Sequence, residues 1–261
     1  MGKGRPFLEV FASALNEDYR FPILEIFAFL YALGTFAIAS GMTGVPQSGE
    51  AYVYGLINLL SGFPFFIFVI LIFKNVAYGL GNDLEKGVIQ TLLSYPLKRW
   101  KILTAKLLSA LGISLLMFLG IQIFALFLLA PEAIATNANT VLLVYACQIC
   151  QALFLSGIVL LLALLLKRGG LAIVVGIVLY FALGIVSSMA LFVAYATGVD
   201  LPLKIYAVIS PSIALQMYYM PFIEVWKPTF SEVLTYIGAG YLVVAIVFVL
   251  AYAYFERRLE I

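Results

Sequence analysis

The two cysteines of this chain occur in the sequence Cys147-Gln148-Ile149-Cys150, inside a long apolar run. On a helix, positions i and i+3 share one face, so both thiols could reach a single soft metal ion. A closed zinc site needs four ligands, however, and the chain contains no histidine. Buried cysteines commonly pack as small apolar side chains. We therefore predict that Cys147 and Cys150 serve packing and that the chain holds no metal.

Catalysis within a membrane would require a base, a nucleophile or a metal inside the apolar segments. Those segments contain no histidine, no paired acids and no serine beside a lysine. A phosphate-binding loop is also missing, since the only Gly-Lys pair is Gly2-Lys3 and it does not complete G-x-x-x-x-G-K-[ST]. We predict that the chain is not an enzyme. A membrane-embedded enzyme is the less favoured alternative.

Charge is concentrated in residues 81–106, which hold seven of the 28 charged residues (15 basic and 13 acidic). Asn82 or Asp83 is predicted to cap a helix there, and Pro96 to end it. The apolar face of this helix is formed by Val88, Ile89, Leu92 and Leu93. A short amphipathic helix of this kind fits a groove on a soluble partner. A solvated loop is the alternative.

The elements that carry these residues are membrane helices. Hydrophobic residues make up 64% of the chain and charged residues 11%, against roughly 45–50% and about 25% in soluble domains. Mean hydropathy is +1.11. Six continuous apolar runs are long enough to span a bilayer. They cover 23–42, 53–73, 102–130, 141–166, 171–197 and 233–255. We predict one transmembrane domain, 1–261, in an all-α integral membrane protein with six transmembrane helices.

Two further segments complete this fold. Residues 1–21 alternate apolar and polar faces with helical spacing and are predicted to form an interfacial helix. Residues 200–232 are apolar but interrupted by prolines, which predicts short broken helices in the outer leaflet before the last span. A seventh span is the alternative for this segment.

Orientation follows from the basic residues. With the N-terminus inside, 13 of the 15 lysines and arginines lie at cytoplasmic ends or loops, and only Lys204 and Lys227 lie outside. Both termini are then cytoplasmic in a multi-pass protein of the plasma membrane, and 82–101 is cytosolic. A net charge of +2 without a basic face gives no indication of nucleic acid binding.

Residues 84–108, LEKGVIQTLLSYPLKRWKILTAKLL, resemble the stretch between the second and third spans of ABC-2-type transporter permeases. The matching positions are Glu85, Gly87, Thr91, Leu92, Pro96, Arg99 and Lys106. The resemblance implies a coupling helix at about 85–94, which would include Ile89, and a second coupling element at the turn 166–170. It implies a membrane subunit of an exporter that pairs with a second permease copy, identical or related, and with ATP-binding subunits. ATP and magnesium would then be bound by those partners, with no cofactor in this chain.

The scarcity of charge in the spans predicts a hydrophobic or amphiphilic cargo. Glu25 and Asn58 are candidates to line its path, although an interfacial position is favoured for Glu25. Asn58, Gln122, Gln148 and Gln151 are predicted to make hydrogen bonds between helices. A carrier driven by an ion gradient is the alternative class, but the spans lack the midplane charges and repeated interrupted helices expected of one.

Overall fold

The computed structural model describes residues 5–40, 49–93, 97–220 and 225–257, and every regular element within these ranges is helical. The elements are α1 (Arg5–Asp18), α2 (Ile23–Ser40), α3 (Glu50–Phe73), a π-helical turn (Lys74–Tyr78), α4 (Gly79–Glu85), α5 (Val88–Leu93), α6 (Arg99–Leu129), α7 (Pro131–Thr136), α8 (Ala138–Leu166), α9 (Gly169–Thr197), α10 (Leu201–Ile209), α11 (Ser212–Tyr219) and α12 (Phe230–Arg257).

Six of the described helices are long and apolar enough to cross a membrane. They are α2, the continuous helix Glu50–Glu85, α6, α8, α9 and α12. The predicted all-α membrane fold with six spans is confirmed. We call the end of the bundle that carries α1, α5 and the α8–α9 turn the basic end, and the end that carries α7, α10 and α11 the far end.

The second spanning helix is longer than the sequence predicted. It runs from Glu50 to Glu85 because the π-helical turn joins α3 to α4. At 1.5 Å per residue, its 36 residues measure about 54 Å, whereas the hydrocarbon core of a bilayer is about 30 Å thick. Asn82 and Asp83 lie in the last turn of this helix. The prediction that one of them caps a new helix is therefore wrong.

The core between α2, α3 and α6 is built around Phe118. Its ring stacks on Phe68 with the centroids 4.3 Å apart and lies 6.0 Å from the ring of Tyr31. One turn further along α6, Gln122 donates hydrogen bonds to the hydroxyl of Tyr31 (2.7 Å) and to the carbonyl oxygen of Leu60 (3.2 Å). A buried amide thus joins three helices, as predicted for Gln122.

Helix α1 packs along α6. Val10 is buried against Ile102 and Ala105, whereas Leu8 and Leu15 remain exposed. The apolar surface of α1 is therefore divided between the bundle and its surroundings. The interfacial position predicted for residues 1–21 stays a prediction, and residues 1–4 lie outside the described ranges.

Helices α10 and α11 close the far end. Helix α10 packs against α9 and α12, and α11 against α8 and α12. The ring of Tyr219 stacks on that of Tyr54 at 5.2 Å, which ties α11 to the start of the long second helix. Of the segment 200–232, residues 221–224 lie outside the described ranges.

Candidate coupling site and polar groove

The tip of the hairpin at the basic end is made by a glycine turn. Helix α4 ends at Glu85, and Gly87 adopts a φ of +71° before α5 begins at Val88. The N–H of Gly87 donates to the carbonyl of Leu84 (3.3 Å), which closes the end of α4. Residues other than glycine, asparagine and aspartate rarely adopt such a φ, so Gly87 sets where α5 starts.

The predicted coupling residues do not all share one surface. Glu85, Thr91 and Arg99 are exposed, and Arg99 begins α6. Ile89 is fully buried in the main core, so the prediction that it forms part of an exposed apolar face is wrong. Val88, at 43% exposure, is an apolar side chain of α5 that faces outward. The side chain of Leu92 and the whole of Pro96 lie outside what the structure describes.

An ion cluster lies directly behind this tip. The ammonium group of Lys106 on α6 donates to a carboxylate oxygen of Glu17 on α1 (3.2 Å) and also pairs with the carboxylate of Asp83 on α4. The side chains of Lys106 and Asp83 are 13% and 7% exposed. Charges this far from water are tolerated only when they are paired. The cluster therefore holds α1, α4 and α6 together.

Asp18, the residue after Glu17 at the end of α1, extends the cluster. It is buried, and its carboxylate accepts a hydrogen bond of 2.6 Å from the hydroxyl of Ser109 on α6. Burial raises the pKa of Asp18 to about 6, and the bond from Ser109 and the charge of Lys74 only partly oppose this.

The π-helical turn faces the same region. Asn75, within this turn, donates to the hydroxyl of Ser114 on α6 at 3.2 Å, and both side chains are buried. Ser114 in turn donates to the carbonyl of Ala110 at 2.7 Å. Turns with π geometry are frequent at functional sites. Here the turn places a polar side chain against α6 within the buried part of the long second helix.

The two hairpins of the basic end meet at glycine. A Cβ placed on Gly81 of α4 would lie 2.4 Å from the Cα of Gly169, the first residue of α9. A Cβ on Gly169 would lie 2.9 Å from the Cα of Tyr78. The turn 166–170, predicted as a second coupling element, thus lies against the base of the first hairpin.

A groove opens between α3, α8, α9 and α11, with a volume of about 540 Å³. Its lining is Tyr54, Gly55, Asn58, Leu59, Ser61, Gly62, Phe65, Gln148, Gln151, Ser187, Ser212, Ile213, Gln216 and Met220. Half of these side chains are amides or serine hydroxyls. None of the described lining residues carries a charge. We call this site the polar groove.

Hydrogen bonding within the polar groove differs in part from expectation. Ser61 of α3 donates to the amide oxygen of Gln148 on α8 at 3.2 Å, which is an interhelical bond as predicted for Gln148. Asn58 instead donates to the carbonyl of Tyr54 in its own helix at 3.1 Å. Asn58 thus bonds within its own helix and lines the groove, and the interhelical bond predicted for it is wrong.

Glu25 is not part of this lining. It lies in the first turn of α2 and is half-buried. One of its carboxylate oxygens is buried without a hydrogen-bond partner among the described residues. The structure thus separates Glu25 from Asn58, with which it was grouped as a possible path-lining residue.

The two cysteines are free and buried. Cys147 belongs to the main core, and Cys150 packs with Phe154 and Val244. A Cβ on Gly240 of α12 would lie 2.9 Å from the sulfur of Cys150, so the helices approach closely there. Within the described ranges, no cluster of three or more potential metal ligands occurs.

Comparison with known families gives a match over most of the chain. A family described as ABC-2 family transporter protein matches residues 65–258, well over half of the chain. This chain belongs to the ABC-2 transporter family. No curated protein matches it. The resemblance predicted from residues 84–108 is confirmed, and the chain is an ABC-2-type permease, the membrane subunit of a transporter.

Most of the groups described above fall inside the matched region of the permease. It contains the hairpin tip, the π-helical turn, Asp83 and Lys106, whereas α1, α2 and most of α3 precede it. The sequence analysis did not identify the contacts that Glu17 and Asp18 make with α6. Two adjacent acidic residues at the end of the amphipathic helix α1 were the only local signal.

Proposed function

We propose that this ABC-2 permease is the membrane-spanning subunit of an ATP-driven exporter of a hydrophobic or amphiphilic solute. A separate ATP-binding subunit binds ATP and magnesium. It contacts the tip formed by Glu85, Gly87, Val88 and Thr91. The permease lies in the plasma membrane with its basic end facing the cytoplasm. It pairs with a second copy or a related permease. The chain itself carries out no catalysis.

The observation that supports this proposal is the continuous helix Glu50–Glu85. One end of it reaches the hairpin tip at Glu85, and residues between Tyr54 and Phe65 in its other half line the polar groove. A displacement of Glu85 by a partner is therefore carried to the groove along one helix, without crossing a loop. Rigid-body movement of packed helices is a general way of coupling two sites.

The packing behind the tip supports transmission in the same direction. Ile89 fixes α5 to the core, and Lys106 binds α4 to both α1 and α6. Gly81 and Gly169 bring the α8–α9 turn into backbone contact with α4. A force on the tip thus acts on four elements at once.

The test compares two exposed glutamates at opposite ends of the bundle. The permease is coexpressed with a candidate ATP-binding subunit, purified by a tag on the permease and reconstituted in liposomes for ATP hydrolysis and solute transport. Glu85→Lys should weaken copurification and lower solute-stimulated hydrolysis several-fold. Glu132→Lys, in α7 at the far end, should change neither. Transport that continues in liposomes without any ATPase would instead support an ion-gradient carrier.

A further inference from the structure

The lining of the polar groove combines uncharged polar groups with apolar side chains, and a bound cargo must match both. We propose that it binds an uncharged single-chain amphiphile whose head group carries hydroxyl or amide groups. This inference rests on the proposed function, because it names the class of solute that the permease moves.

The polar part of the lining offers both donors and acceptors. Asn58, Gln148, Gln151 and Gln216 are primary amides, and three serines contribute hydroxyls. Each amide presents an oxygen that accepts and a nitrogen that donates two hydrogen bonds. The bond from Ser61 uses the amide oxygen of Gln148, which leaves its amide nitrogen as a donor. Hydroxyl and amide head groups can satisfy both kinds of partner.

The absence of charge in the described lining discriminates against ions. An ionic head group entering this groove would lose its hydration without gaining an opposite charge, and that exchange is unfavourable in a low-dielectric site. The charged cluster of the permease, Lys106 with Glu17 and Asp83, lies at the basic end and contributes nothing to the lining. A neutral head group avoids this cost.

The apolar part of the lining suits one hydrocarbon chain. Tyr54, Leu59, Phe65, Ile213 and Met220 lie among the polar residues, and a volume of about 540 Å³ is within the usual range for small-molecule sites. Gln151 also lines an adjoining depression with Phe181 and Ile185 of α9, both of which are exposed. A chain can therefore extend from the groove along α9 toward lipid.

Gly62 lies in the groove wall at a point where no neighbouring helix packs against it. A Cβ on Gly62 would meet no atom within 4 Å, unlike Gly157 or Gly176, where side chains of neighbouring helices lie within 3 Å. A larger side chain at Gly62 can thus enter the groove without displacing the fold. Gly120 of α6 is equally open and exposed but does not line the groove, which makes it a matched control.

The test uses photoreactive probes with one dodecyl chain and three head groups: glucoside, sulfate and trimethylammonium. The permease alone is reconstituted in liposomes, labelled by light and digested. Labelling of groove peptides from α3, α8 and α11 is divided by labelling of the exposed α12 face around Leu242. We expect the glucoside ratio to exceed both ionic ratios by about ten-fold. Gly62→Phe should lower the glucoside ratio several-fold, and Gly120→Phe should not.

A second variant, Asn58→Leu, keeps the side-chain size and removes the amide, and it should lower the glucoside ratio while sparing the overall elution profile of the protein. Equal ratios for the three probes, or an unchanged ratio in both groove variants, would overturn the proposal. So would cross-linking of Gly62→Cys chains to one another with loss of labelling, which would assign the groove to a subunit contact. The labelling assay needs no ATPase, so its result is independent of the hydrolysis assay on the complex. Groove labelling together with no solute-stimulated hydrolysis in the complex would support this inference and contradict the proposed function.

Discussion

Gly81 and Gly169 touch through their backbones, with room for no side chain on either: a Cβ on Gly81 would lie 2.4 Å from the Cα of Gly169. This contact joins the extended second helix of the ABC-2 permease to the first residue of α9. Backbone atoms cannot rotate away as a side chain can, so any larger residue must separate the two helices.

Gly81→Ala should therefore destabilise the permease by about 1–3 kcal/mol, the usual range for overpacking. Gly79→Ala, two residues earlier in α4, is the control, because a Cβ there meets nothing within 4 Å. It should be neutral or raise stability by about 0.5–1 kcal/mol through helix propensity. Thermal unfolding in detergent measures both, and equal melting temperatures for the two variants would contradict the contact.

Lys106→Met should cost about 3–5 kcal/mol, because it leaves the buried carboxylate of Asp83 without its counter-charge. Adding Asp83→Leu to Lys106→Met removes the unpaired charge and should recover much of the loss. The exposed Lys98 provides the control, and Lys98→Met should unfold like the wild type. A double variant no more stable than Lys106→Met alone would argue against the pairing.

Stability near α1 should depend on the protonation of Asp18. Its pKa is about 6 in the folded protein because of burial, above its ordinary value near 4. The folded state then binds the proton more tightly, so this group favours folding at low pH, and its contribution falls as pH rises through about 4 to 6.

Asp18→Asn should accordingly melt at a higher temperature than the wild type at pH 7, with the difference shrinking toward pH 5. Glu9→Gln, on the exposed face of the same helix, serves as the control for the loss of a surface carboxylate. A gap between Asp18→Asn and wild type that is constant from pH 5 to pH 7 would exclude this assignment.

The turn at Gly87 should tolerate side chains according to their backbone preferences. Gly87→Val forces a β-branched residue to a φ of +71° and should disorder the tip, at a cost of about 1–3 kcal/mol. Gly87→Asn should be much milder, since asparagine accepts this conformation. Limited proteolysis at the hairpin and copurification with the ATP-binding subunit report the effect. Similar behaviour of the two variants would mean that the turn geometry is unimportant.

The six spans could be predicted from the sequence because each needs only a local apolar run of sufficient length. The extension to Glu85 could not, because Lys74 and Asn75 resemble the polar flank that ends a span. Asn75 stays in the helix by bonding to Ser114, 39 residues away, and Lys106 similarly neutralises Asp83. Such pairings depend on tertiary contacts that no local pattern contains.

For the candidate site, too, the sequence revealed local elements but not the contacts between them. The hairpin and its resemblance were visible in 84–108, but the six-residue α5 is too short for periodicity to decide whether Ile89 or Val88 faces inward. Asn58 and Gln148 could be recognised as polar groups in spans. That they share one groove with Ser187 and Gln216 follows only from the packing of α3 against α8, α9 and α11.

The π-helical turn Lys74–Tyr78 has a mechanical consequence for the long second helix. Its hydrogen bonds span one residue more than those of the α-helix on either side, and long helices kink at such turns. Bending of this helix is therefore expected to concentrate at Lys74–Tyr78, between Glu85 at one end and the groove-lining residues at the other.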